Sequence, residues 1–246
     1  MASYAGVSDP YEVLPVAQAE ESARVTYLRQ VAMLTLGSLV ITAVSAVVWM
    51  YMIGMFPEVL TQTYVAMGIM LGGIYGAQFL GNNMVASQSQ GTRITGFVLG
   101  SSLSGIALSY VVGAAAILGA EVFGDPLRLI VQAGGLVAMT VLGMVIYLMT
   151  GPRNLSTLGS ILGVLWLPML GLMAVTWLFP VGGTMGLVFS AIFVAVSAGG
   201  LLYSLNQVMH QYSTDMVMAG AFHISTSIVV LFWNILTLLM RLTSRD

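Results

Sequence analysis

The side chains able to do chemistry in this chain are few, and they gather near its end. Asn206, His210, Asp215, His223 and Ser227 fall within one stretch, Gly199 to Arg241, in which two long apolar runs flank a polar joint from Asn206 to Asp215. His210 and His223 are the only two histidines. His223 and Ser227 are four residues apart, so they share a face of any helix that contains them. An imidazole held inside an apolar bundle is a candidate proton-linked switch, because its charge changes close to neutral pH. The competing reading is a neutral, hydrogen-bonded structural histidine. His210 falls in the polar joint, where water reaches it. Ser213, Thr214 and Asp215 read as an N-terminal cap for the helix that follows, since short polar side chains there accept from free backbone N–H groups.

Other chemistries fail for want of residues. The chain has no cysteine, which removes disulfides, thiolate metal sites and thiol nucleophiles. Two histidines are too few for a histidine-rich metal centre. With no lysine among the seven basic residues, a phosphate-binding loop of the Gly-x-x-x-x-Gly-Lys type is excluded. No serine has a histidine–acid partnership at a spacing that suggests a hydrolase. The expectation is therefore a protein that is not an enzyme, with no cofactor and no metal. The net charge of −2 implies no nucleic-acid partner.

The elements that position these residues are membrane-spanning helices. The chain is 58% hydrophobic and 7% charged, with a mean hydropathy of +0.96. Soluble domains carry about 25% charged residues. Seven runs are long enough to span a bilayer: Val31–Phe56, Thr61–Leu80, Ile94–Leu118, Leu127–Met149, Leu158–Phe179, Thr184–Leu205 and Met216–Met240. Turn or charge chemistry separates them, at Phe56-Pro57-Glu58, Gly81-Asn82-Asn83, Gly124-Asp125-Pro126, Gly151-Pro152-Arg153 and Phe179-Pro180. The division expected is a polar N-terminal segment over 1–26, a seven-helix membrane domain over 27–242 and a short polar tail over 243–246. Residues 1–25 do not read as a secretory signal, because they are polar and acidic.

Arginine placement orients the bundle. Arg24, Arg29, Arg93 and Arg153 fall on one side, which is then cytoplasmic together with the N-terminus. Arg128, Arg241 and Arg245 fall on the other, so the bias is four against three. A tilted or re-entrant last helix would relieve the conflict at the C-terminus. Membrane lipids are the expected surroundings. Asn154-Leu155-Ser156 has the form of a glycosylation sequon, but it falls in a tight loop on the cytoplasmic side.

Small residues recur every fourth position at Gly68, Gly72 and Gly76, at Gly96 and Gly100, and at Gly159 and Gly163. Such faces let helix backbones approach closely in lipid. They read first as packing within one bundle and second as seats for a partner's helix. Pro168 removes a hydrogen bond inside the fifth run and kinks it.

Four stretches resemble the Bax inhibitor-1 family, the transmembrane Bax inhibitor motif proteins. Thr150-Gly151-Pro152-Arg153-Asn154-Leu155-Ser156-Thr157-Leu158-Gly159 is similar to the family's loop, with Asn154 in place of the usual acid. Tyr203-Ser204-Leu205-Asn206-Gln207 resembles its element at the end of the sixth helix. Ile228-Val229-Val230-Leu231-Phe232 resembles its seventh helix, and Tyr27-Leu28-Arg29-Gln30-Val31 the entry to its first. The resemblance runs from Tyr27 to Leu242 and implies a seven-helix bundle with the last helix at its centre.

Several members of that family resemble pH-sensitive calcium leak channels, a role tied to one acid near the end of the sixth helix and one on the seventh. Two carboxylates sharing a site do not both ionise cheaply, so one holds a proton that can bias an open–closed equilibrium. Here both positions depart. The first falls on Ser204 or Leu205, with Asn206 the nearest polar residue. The second falls on Ser227, or on Thr226 if the register slips by one. Hydroxyls and amides do not titrate near neutrality, and calcium sites generally use carboxylates.

Asn206, His223 and Ser227 are thus expected to form a neutral polar latch, with His210, Asp215 and Arg153 as secondary candidates. Arg153 reads as a topology anchor or a lipid-headgroup contact. The function expected is a structural, accessory or regulatory subunit of a larger membrane complex, engaging membrane-protein partners through its N-terminal segment and glycine faces. The alternatives are a residual calcium or proton leak lined by Asn206, His223 and Ser227, and modulation of a membrane protease. The expected location is a bacterial inner membrane, with an organelle membrane as the alternative.

Overall fold

A computed structural model describes residues 16–54, 72–73, 76–77, 79–87, 89–149, 155, 158–164 and 183–244. The residues 1–15, Gly68, the joints at 56–58, 151–153 and 179–180, Arg153, Asn154, Pro168 and Arg245 lie outside them. So do most of the second and fifth predicted spans.

Five long helices dominate: α1 (Glu21–Gly54), α2 (Gln90–Phe123), α3 (Arg128–Met149), α4 (Gly183–His210) and α5 (Val217–Thr243). Residues 79–85 and 158–164 are also helical. Among the described residues, these five helices are long and apolar enough to cross a membrane. Helix is the expected state for such sequences, because in lipid every backbone N–H and C=O must be satisfied within the segment. The outer surfaces match a lipid environment, with Met33, Leu36, Val40, Val131, Met139 and Leu142 all largely exposed.

The turn between α2 and α3 falls where the sequence puts it. Gly124 takes the left-handed conformation at φ 69° and donates its N–H to Ala120 O, while Asp125 N–H reaches Gly119 O. This is the glycine-terminated helix end that caps otherwise unpaired carbonyls. The Asp125 carboxylate then accepts from Leu127 N–H at 2.9 Å.

Three boundaries differ from the sequence reading. α1 starts at Glu21, ten residues before Val31, so the end of the polar N-terminal segment is helical. Gly81-Asn82-Asn83 is helix rather than joint. Asn83 Nδ2 returns to Phe79 O at 2.7 Å, which keeps the amide inside the helical pattern. The helix ends at 85 and turns at 86–87, and Ser87 takes both the Ser89 N–H on its Oγ and the Arg93 Nε–H on its carbonyl. Finally, α4 runs on to His210, and the polar joint shrinks to Gln211–Met216. The cause is local pairing along the helix. Gln207 Nε2 donates to Gln211 Oε1 at 2.9 Å, and the His210 Nδ1–H donates to Asn206 O at 3.0 Å.

α5 packs against each of the other four long helices. Its buried face carries Ala221, Phe222, Ser225, Ile228, Leu231, Ile235 and Leu236. α1 runs parallel to it, pairing Thr35 with Ala221 and Ser38 with Ser225. α4 runs antiparallel, pairing Val208 with Gly220 and Ser204 with Ser227. α5 is continuous over 27 residues, or about 40 Å at 1.5 Å per residue. Its end therefore lies at the opposite end of the bundle from the start of α1, and no re-entrant break occurs. Before α1, the single turn Val16–Gln18 buries Val16 and ties its N–H to Tyr212 O at 2.9 Å.

Candidate functional site

The joint between α4 and α5 is short, so the two helices lie side by side and bring their small polar residues together. Ser204 and Ser227 meet at 2.8 Å between hydroxyl oxygens. Each hydroxyl also lies within hydrogen-bond distance of a carbonyl one turn back, Ser204 of Gly200 O at 2.9 Å and Ser227 of His223 O at 3.0 Å. Two hydroxyl protons serve three contacts. One serine therefore donates to the other while the second donates to its own helix. The pair supplies neutral oxygens and no fixed charge. It cannot titrate near neutrality, and it offers a hard cation none of the carboxylates such ions prefer.

The predicted trio is not assembled. Ser227 has Ser204 as its partner, not Asn206 or the His223 ring. Asn206 is buried, and its side-chain Oδ1 has no hydrogen-bond donor. The reason is helical spacing: Asn206 is two residues from Ser204, which turns it about 200° away at 100° per residue. His223 is partly buried, with its ring 6.4 Å from the Tyr212 ring. His210 is exposed at the end of α4.

Asp215 does not cap α5. The N-cap is Met216, which has no side-chain cap bond. The Ser213 hydroxyl bonds the Asp215 carboxylate instead, so these two side chains satisfy each other rather than the helix start. Among the described residues, no group of three metal-ligating side chains occurs.

A second polar cluster, absent from the sequence reading, joins three helices. Ser38 of α1 lies 2.7 Å from Ser101 of α2 and donates to Ser225 of α5 at 2.8 Å. Ser225 passes its own proton to Phe222 O at 2.9 Å, and Thr42 donates to Ser101 O at 3.1 Å. Ser38, Ser101 and Ser225 are all buried. Buried hydroxyls need partners, since an unpaired one loses its hydration without return. Here every hydroxyl has one. The available signal was the run Gly100-Ser101, Ser104-Gly105, in which serines share the glycine-rich face.

Next to this cluster the Phe222 ring sits between two glycines. A Cβ on Gly81 or Gly100 would overlap the ring. The Phe97 ring meets it edge-on, with centroids 6.4 Å apart. Of the other predicted glycines, Gly96 packs against Met84, Gly76 lies loosely against Leu103, and Gly72 has nothing within 4 Å. The tight contact on that segment is made by Gly73, against Ala107 and Leu103 O. Gly159 packs on the Tyr203 ring, while Gly163 has open space. Gly105, also missed, meets the α1 backbone at Thr42 O.

Apolar spans packed through glycine and serine, with no charge in their buried faces among the described residues, define an all-helical membrane protein. The family model described as "Inhibitor of apoptosis-promoting Bax1" matches residues 24–244. The chain belongs to the Bax inhibitor-1 family. No curated protein matches it.

Proposed function

We propose that this chain is a non-catalytic structural or accessory member of the Bax inhibitor-1 family, one that has lost the titrating acid pair. The observation that carries this reading is the 2.8 Å hydroxyl contact between Ser204 and Ser227. The family resemblance places the first acid at Ser204 or Leu205 and the second at Ser227 or Thr226, and the hydroxyl contact joins one residue of each choice. A neutral hydroxyl pair joins α4 to α5 at every physiological pH, whereas a carboxylate pair responds to protons. The rest of the family scaffold is retained, and the retained part is what a membrane complex would use.

The same reading takes the bundle as seven spans with α5 at its centre, in accord with its packing against all four other long helices. It places the N-terminus in the cytoplasm of a bacterium, following the arginine bias. Partners engage through the N-terminal segment and exposed glycine positions such as Gly72.

The test is purification at native expression level in a mild detergent, with the mass of the particle measured. A stoichiometric complex is the expected result. A lone monomer that exchanges with no other membrane protein contradicts it.

A residual leak is the second reading, favoured by one observation. The buried Asn206 Oδ1 lacks a donor, and a passing cation or water would supply its missing partner. Calcium flux into vesicles that depends on Asn206, His223 and Ser227 would establish it.

A further inference from the structure

At the end of the bundle where α1 begins and α4 ends, a cleft of about 520 Å³ opens between α1, residues 85–86, the start of α2 and the first turn of α5. Small-molecule sites generally fall between about 300 and 1,000 Å³. Its polar lining is Gln30, Gln90, Arg93 and Asp215. No ion pair joins Arg93 to Asp215, or either to another charged side chain among the described residues. Arg93 Nε–H meets Ser87 O and the Asp215 carboxylate accepts from the Ser213 hydroxyl, so among the described residues each has a neutral partner and keeps its charge toward the cleft.

Two further features concern the wall made by α5. Its first residues, Val217, Met218 and Ala219, line the cleft, and the helix start has no side-chain cap. Such a helix start attracts phosphate oxygens, because its free N–H groups and its dipole both favour negative charge. Beside the cleft, not in it, the Tyr27 hydroxyl is buried with no partner, 2.7 Å from where a Gly220 Cβ would stand. Tyr27 lines a smaller hollow of about 310 Å³, and Gln30 borders both hollows.

The remaining wall is apolar and opens sideways. Met33 lines the cleft and is 55% exposed. From it an exposed stripe descends α1 through Leu36, Val40, Val44 and Val47. A freely soluble ion has no use for that surface, and a purely anionic ligand meets Asp215.

We propose that the cleft holds a phosphoethanolamine headgroup of a membrane phospholipid, with its phosphate on Arg93 and the first turn of α5 and its ammonium on Asp215. The acyl chains follow the α1 stripe from Met33. Basic pockets between spans seat anionic headgroups; here Asp215 balances Arg93 and selects the zwitterion with a primary amine over an anionic lipid.

The experiment uses the whole chain in nanodiscs of phosphatidylcholine doped with either phosphatidylethanolamine or phosphatidylglycerol. Retained lipid is counted by native mass spectrometry, and thermal unfolding is recorded alongside. Phosphatidylethanolamine should be retained and should raise the melting temperature. Arg93→Gln should weaken retention by roughly tenfold or more, the loss of one charge-assisted bond. Asp215→Asn should abolish the preference for phosphatidylethanolamine over phosphatidylglycerol. Arg128→Gln, which removes the guanidinium stacked 4.2 Å over the Phe123 ring at the other end of the bundle, should change neither.

Should Arg93→Gln fail to fold, Asp215→Asn carries the test alone, since Asp215 is exposed in the joint. Equal stabilisation by soluble phosphoethanolamine supports the headgroup site and assigns it to a free ligand. Indifference of retention to both variants, or equal retention of phosphatidylglycerol by the wild type, overturns the proposal.

Discussion

Ser38 and Ser225 are joined by a 2.8 Å hydrogen bond between two parallel helices, α1 and α5, that stand 187 residues apart in sequence. Through Ser101 the same bond reaches α2. A hydroxyl at each position lets three backbones approach and leaves no polar group without a partner. Replacing Ser38 with valine removes both of its contacts, leaves Ser101 and Ser225 only the carbonyls of Phe97 and Phe222, and puts a larger side chain where three helices meet. The expected cost is about 1–3 kcal/mol. Unfolding in mixed detergent measures it, and Ser38→Ala with Ser225→Ala should be less than additive.

Phe222 and its two glycines give a sharper size test. Phe222→Ala should destabilise by about 3–5 kcal/mol, as truncated core aromatics do. Gly100→Leu should be as damaging alone, because its side chain would enter the space of the ring. Combined with Phe222→Ala, part of that loss should return. Melting temperatures of the two single variants and the double variant decide the matter.

The glycines separate by what surrounds them. Gly105→Ala should be strongly destabilising, since the new methyl meets the α1 backbone at Thr42 O, which cannot move aside alone. Gly73→Ala meets Ala107 Cβ at 2.9 Å and Leu103 O at 3.0 Å, against 2.3 Å to Thr42 O for Gly105, and should cost less. Gly72→Ala meets nothing within 4 Å and should leave stability unchanged, or raise it slightly through helix propensity. If Gly72→Ala instead dissociates a co-purifying protein while the fold stays intact, Gly72 is part of a partner's seat.

Much of this fold was legible in the sequence. Long apolar runs with turn chemistry between them gave the helices at α3 and α5 within a few residues, and Gly124-Asp125 gave a helix end in its place. The joints at Gly81 and at Asn206 were misplaced for one reason. Glycine and asparagine read as turn formers, yet within apolar helices Gly81 makes room for a ring and the Asn83 and His210 side chains bond carbonyls one turn back. Of the site, register offered Ser204 or Leu205 and Ser227 or Thr226 as the acid positions, but the latch was drawn through the more polar Asn206, while the hydroxyl that meets Ser227 is that of Ser204. Only the crossing of α4 and α5 decides which face of α4 is turned inward. The Ser38–Ser101–Ser225 cluster depends on three helices meeting, and no local pattern reports that.

The Ser204–Ser227 bond itself should be modest in stability. Hydrogen bonds between membrane helices average about 0.6 kcal/mol by double-mutant cycles, and both hydroxyls retain their own carbonyls as partners. Ser204→Ala should therefore cost well under 2 kcal/mol, measured by reversible unfolding in detergent.

If Ser204 and Ser227 form no proton-linked switch, calcium flux into liposomes will reveal it. Purified protein is reconstituted under a calcium gradient and assayed between about pH 6 and pH 8, the range over which a shared carboxylate pair changes its proton occupancy. Wild-type vesicles should stay as tight as protein-free vesicles at every pH, while Ser204→Asp with Ser227→Asp should introduce a pH-dependent flux. A wild-type flux that rises or falls across this range, and disappears in Ser227→Ala, would mean that the pair still gates ions in response to protons.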